Sequence, residues 1–95
     1  MIFAVLFEDV PNQEHQRQAH MAAHLEFLET QAGVLGAGPL FDLAGGRGGL
    51  WLIDAPDASY VDAMVRQDPF FDTGLRKTVT VLEWRQVFRD GVRQI

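Results

Sequence analysis

Two histidines, His20 and His24, stand four residues apart in the stretch QRQAHMAAHLEFL. The residues around them are good helix formers, and on a helix that spacing brings both rings to one side. Three kinds of role use such a pattern. A metal ion can bridge an i, i+4 pair, but it needs a third protein ligand. Protease zinc helices with this spacing also carry a glutamate directly after the first histidine, where this chain has Met21. A single histidine can act as a general base near neutral pH if a carboxylate holds one ring nitrogen. A histidine at the rim of a core can also be purely structural, bonded to a backbone carbonyl. The candidate carboxylate is Asp68, in the segment QDPFF, where Pro69 restricts the turn and Phe70 and Phe71 can wall a pocket. The plain alternative is that Asp68 is only the polar end of a helix. No metal site and no cofactor is expected.

Composition narrows the setting. A chain of 95 residues is expected to form a single domain, 1–95, and 47% hydrophobic content is rich for that size. Apolar surface is therefore expected to be left over for a second copy of the chain. There is no cysteine, which excludes disulfides, thiolate metal sites and a cysteine nucleophile. A net charge of −5 argues against nucleic acid as a partner. Lys77 is the sole lysine; Arg76, Arg85, Arg89 and Arg93 gather towards the end and read as a solvated edge and tail. The opening MIFAVLFEDV is too short to span a membrane and lacks the basic start of a signal peptide, so a cytoplasmic protein is expected.

The elements that must position His24 and Asp68 follow from periodicity. Ile2 to Phe7 is an unbroken apolar run with β-branched and aromatic residues, expected as a buried central strand. Pro11-Asn12 breaks it, and Asn12 or Asp9 is the expected cap of a helix from about Gln13 to Ala32. Met21, Leu25, Leu28 and Ala32 form its apolar stripe, which places His24 at the edge of the stripe and His20 further towards solvent. Gly33 is expected to end the helix. Val34 to Leu40 reads as a strand, AGGRGG as a flexible hairpin tip, and Leu50 to Ile53 as the returning strand. Asp57 or Ser59 caps a second helix that buries Val61, Met64 and Val65 and stops at Asp68. Thr78 to Phe88 completes the order β-α-β-β-α-β. With right-handed crossovers, this gives an α+β, ferredoxin-like fold: a four-stranded antiparallel sheet with two helices on one face. The other face is the expected dimer contact.

The runs His24-Leu25-Glu26-Phe27-Leu28, Gly33-Val34-Leu35 and Ala37-Gly38-Pro39-Leu40, followed by Asp68-Pro69-Phe70 with Gly74 beyond, resemble the YCII-related family in order and spacing over nearly the whole chain. The resemblance implies a dimeric ferredoxin-like fold and an active site built from a histidine and an aspartate, which map onto His24 and Asp68. It also places Gly38 and Pro39 at a strand end lining the same pocket. Relatives often carry an arginine three residues before the histidine; that position is Met21 here, and Arg17, one turn earlier, can reach the same region. His20 has no counterpart and reads as a bystander. The implied activity is cofactor-free proton transfer on a small cyclic or aromatic substrate, of an isomerase, lactone-rearranging or dehydrochlorinase kind. The rival is a non-catalytic dimeric module that binds a small ligand or a partner protein.

Overall fold

The computed structural model describes Met1–Ile95. The chain runs β1 (Ile2–Asp9), α1 (Glu14–Thr30), β2 (Val34–Asp42), β3 (Gly45–Asp54), α2 (Ala58–Gln67), β4 (Arg76–Glu83), then a small hairpin of β5 (Phe88–Arg89) and β6 (Val92–Arg93). The four long strands form one antiparallel sheet in the order β2-β3-β1-β4, the ferredoxin-like arrangement. Strand β1 is central, as its unbroken apolar run requires. Its alternate residues Phe3, Val5 and Phe7 turn to the helix side and join Trp51, Ile53, Val61, Met64 and Val65 in the core. The opposite side carries Leu6 and Leu82, 39% and 50% exposed. No helix is long and apolar enough to cross a membrane.

Helix α2 forms as its sequence dictates. Asp57 accepts a hydrogen bond from the Tyr60 amide at 2.9 Å, and Val61, Met64 and Val65 are its buried side chains. Asp68, extended before Pro69, closes it.

Helix α1 differs from expectation in three respects. Neither Asn12 nor Asp9 caps it: Asn12 has a left-handed φ of 63°, Asp9 ends β1, and the first residue outside the helix is Gln13, which makes no side-chain cap. The helix ends at Thr30, and Gly33 turns with φ +87° two residues beyond the cap, Gln31. A Cβ at Gly33 would lie 2.1 Å from the Asp54 carbonyl oxygen, so a side chain there is excluded by contact as well as conformation.

The third difference concerns the inward face. Leu25 is 51% exposed, Ala32 is exposed beyond the helix, and the only fully buried residue of α1 is His24. Gln13, Arg17, His20, His24, Phe27 or Leu28, and Gln31 recede from solvent at helical spacing. The buried face is thus rotated by roughly 70° from the Met21/Leu25/Leu28/Ala32 stripe and centred on His24.

AGGRGG is mostly strand rather than a flexible tip; only Leu43 and Ala44 make the turn. Gly48 is required where it stands, because a Cβ there would fall 1.7 Å from the Phe7 carbonyl oxygen. Strand β4 starts and ends earlier than expected. The tail after it folds back at Asp90-Gly91, both with positive φ, the signature of a tight two-residue hairpin turn.

Candidate active site

Asp68 and His24 come from the two helices and meet beneath α1. His24 Nδ1 lies 2.7 Å from Asp68 Oδ1; the side chains are 10% and 0% exposed. The Phe70 amide donates to the same carboxylate oxygen at 3.3 Å, an Asx-type turn that the Asp-Pro-Phe sequence favours. Burial alone would push the Asp68 carboxyl up. The hydrogen bond from His24, the charge of Arg76, that of His24 whenever it is protonated, and the Phe70 amide outweigh it and hold the group below its ordinary value. Ionised Asp68 offers only acceptors, so Nδ1 carries a proton, and whenever the imidazole is neutral its lone pair is on Nε2.

The imidazole is packed between aromatic rings. Phe70 lies 4.4 Å from it by ring centroids and Trp51 6.1 Å. Beside it is a cavity of about 110 Å³, lined by Arg17, Met21, Leu28, Ala37, Gly38, Pro39, Gly49, Trp51 and Phe70 among others. The cavity lies where inward positions carry little or no side chain, Ala37 on β2 beside the large Trp51 and Gly49 on β3 paired with Pro39. An engineered apolar cavity of about 150 Å³ holds one benzene ring, so the enclosed space here is somewhat smaller than one ring.

Of the residues singled out from sequence, His24, Arg17, Gly38, Pro39 and Phe70 line this cavity, and Asp68 stands behind His24. His20 does not line it. No cluster of three or more metal-ligating side chains forms around the histidine pair. Arg17 binds Asp9 at 2.6 Å, which makes Asp9 a site residue rather than a cap.

The residue that sequence reasoning misplaced is Arg76. It is not part of a solvated edge: its side chain is 7% exposed, and Nη1 lies 2.6 Å from Asp68 Oδ2. Its guanidinium carbon sits 3.8 Å above the Phe7 ring centroid. Burial lowers its pKa, Asp68 opposes the change, and it starts high enough to stay charged. A β-bulge explains the error. Phe7 pairs with Val79 and Glu8 with Thr78, but Asp9 pairs with Arg76, skipping Lys77. The extra residue turns Arg76 inward beside Asp9 and leaves Lys77 outside with Glu8.

A ferredoxin-like α+β fold with a buried His–Asp pair beside a small cavity defines a class of small proteins. Within that class the chain belongs to the YCII-related domain family, whose sequence profile matches residues 1–85. The C-terminal hairpin lies outside the match. The structure is similar to 5-chloro-2-hydroxyhydroquinone dehydrochlorinase (TftG) from Burkholderia phenoliruptrix AC1100, solved in complex with 2,5-dihydroxybenzoquinone. The TM-score is 0.79 at 28% identity, covering 90% of this chain and 94% of that one. No curated protein sequence matches this chain.

Proposed function

We propose that this protein is a cofactor-independent enzyme of the isomerase or lyase kind, in which His24 moves a proton on a small cyclic or aromatic substrate and Asp68 orients it. The observation that carries the reading is the buried 2.7 Å contact of His24 Nδ1 with Asp68, on the wall of a small cavity, which in the neutral imidazole keeps Nε2 for the substrate. Nε2 takes a proton from an acidic hydroxyl or carbon of the bound ring, and the imidazolium formed is stabilised by Asp68. The proton then returns to another atom, which isomerises the ring, or a leaving group departs, which completes an elimination. In this reading Arg17 and the backbone around Gly38, both on the cavity wall, meet the negative charge that develops. The quinone bound by the dehydrochlorinase to which this chain is similar supports a hydroxylated or quinonoid ring as substrate.

The protein works as a cytoplasmic homodimer in this reading, paired through the outer sheet face. Leu6, Leu40 and Leu82 are exposed there, and Trp84, Phe88 and Ile95 extend the apolar surface into the tail. Leu82→Asp is expected to halve the mass seen by light scattering; a wild-type monomer at micromolar concentration would rule the dimer out.

The test of the activity is a screen of hydroxyquinols, halogenated hydroxyquinols and hydroxybenzoquinones, followed by ultraviolet absorbance, with wild type and His24→Gln in parallel. Turnover by wild type that collapses in the variant supports the enzyme. Tight binding of the same compounds without turnover, unchanged by His24→Gln and Asp68→Asn, would instead make the protein a ligand-binding module.

A further inference from the structure

We infer that Arg76 is a positioning residue that balances the charge of the buried pair: by occupying the second oxygen of Asp68 it lets the His24 imidazole stay neutral, and therefore able to accept a proton, while the cavity is empty. The inference rests on the reading of His24 as the base.

Three groups stand in a row. His24 Nδ1 is 2.7 Å from Asp68 Oδ1, and Arg76 Nη1 is 2.6 Å from Asp68 Oδ2. The carboxylate side chain is 0% exposed, so its charge cannot be left to solvent. It also sits at the C-terminal end of α2, the negative end of that helix, which raises the demand for a nearby cation. Two groups can answer it, a protonated His24 or Arg76. If the imidazole did so, its proton would already be in place and Nε2 would not be a base. Arg76 answers it permanently, because a guanidinium does not give up its proton.

The surroundings suit that role. The Arg76 guanidinium has lost water but gained the faces of three rings: Phe7 at 3.8 Å, Trp51 at 5.3 Å and Phe70 at 5.5 Å from the guanidinium carbon. The charged groups facing the pair are Arg17 from α1, Asp9 from β1, Asp68 from the end of α2 and Arg76 from β4. Arg17 and Asp9 neutralise each other at 2.6 Å. Arg76 and Asp68 do the same, so the cluster sums to zero with a neutral imidazole. Remove Arg76, and the sum becomes −1 unless His24 takes a proton.

The experiment is an NMR pH titration of the histidine rings in wild type, Arg76→Met, Arg76→Lys and Asp68→Asn, with no ligand present. In Arg76→Met the His24 midpoint is expected to rise by about one pH unit or more, equivalent to about 1.4 kcal/mol favouring the imidazolium. Arg76→Lys should return most of that rise, which a purely structural role for the guanidinium would not produce. Asp68→Asn should move the midpoint down. A midpoint unmoved by Arg76→Met but lowered by Asp68→Asn would overturn the role of Arg76 and leave the His–Asp pair standing. If neither changes it, both readings fall. Should Arg76→Met fail to fold, Arg76→Gln, which keeps a polar contact without the charge, carries the same expectation.

Discussion

Helix α2 buries Val61, Met64 and Val65 in the core, whereas α1, with 17 residues against 10, fully buries only His24. Both helices cover the same face of one sheet. The part under α2 is closed by aliphatic packing. The part under α1 is held open by Gly49 and Ala37 and filled with His24, Arg17, Arg76 and their carboxylates. A small domain has little core to spare. This one concentrates close packing beneath the shorter helix and leaves the longer one to roof a cavity.

Changes in the two halves should therefore fail in different ways. The largest effect is expected at His24. His24→Gln should lower kcat/KM on an identified substrate by about 10²–10⁴-fold, the usual contribution of a positioned acid–base group. Its stability should change by less than about 1 kcal/mol, because Arg76 and the Phe70 amide remain on Asp68. Steady-state kinetics and urea unfolding on the same samples check both halves of the statement. Loss of activity that merely tracks unfolding would erase the contrast.

The reverse pattern is expected under α2. Met64, 2% exposed in the main cluster, should cost about 2–5 kcal/mol when cut to alanine, through lost burial and the cavity left behind. The molecules that remain folded should keep near-normal turnover. A Met64→Ala protein with a small stability loss and impaired catalysis would show the two halves to be coupled.

The same contrast explains what the sequence could reveal. Helix α2 was legible because Val61, Met64 and Val65 repeat at helical spacing against a solid core, and Asp57 and Pro69 mark its ends. The inward face of α1 was misjudged by roughly 70° because apolar periodicity locates the side that packs on a core, and most of α1 packs on a cavity. There the inward face is centred on His24, with Arg17 and Gln31 partly buried beside it, while Leu25, at the cavity's edge, stays half exposed. His24 and Asp68 were singled out by residue type and position and backed by the family resemblance, and their contact needed coordinates. Arg76 was hidden by the bulge between Glu8 and Asp9, since strict alternation along β4 turns Lys77 inward in its place. The terminal hairpin was signalled by Asp90-Gly91, a turn pair that was legible and overlooked.

Acid should separate the halves as well. The Asp68 carboxyl is held below its ordinary 3.8 in the folded protein. A depressed carboxylate contributes stability that is complete above the unfolded value and is lost as pH falls through the folded one. Wild type should therefore weaken relative to Asp68→Asn below about pH 4, the difference between them narrowing as acid is added. Urea unfolding at pH 6, 4 and 3 measures this. A difference that stays constant across the series would mean that Asp68 is not stabilised as an ion. The buried side chains of α2 are all aliphatic or thioether, so Met64→Ala should run parallel to wild type throughout.

The smallest effect concerns the helix starts. Asp57 has extended backbone and accepts the Tyr60 amide, so Asp57→Ala should cost about 1 kcal/mol. Gln13, at the corresponding place on α1, has φ −113° and ψ 23°, outside the extended region from which a cap side chain reaches back to the second or third amide. Its carbonyl already accepts from the amides of Gln16 and Arg17. Gln13→Ser should therefore gain less than about 0.5 kcal/mol, although serine is a favoured cap residue. The backbone just before it turns at Asn12, with φ 63°, and Asn12 and Gln13 line one surface pocket with Asp9 and Arg17. A gain near a full kcal/mol in thermal or urea unfolding would show that this turn relaxes freely. A small one means that the start of α1 is held in the shape that brings Arg17 to Asp9 at the cavity, at the expense of a better cap.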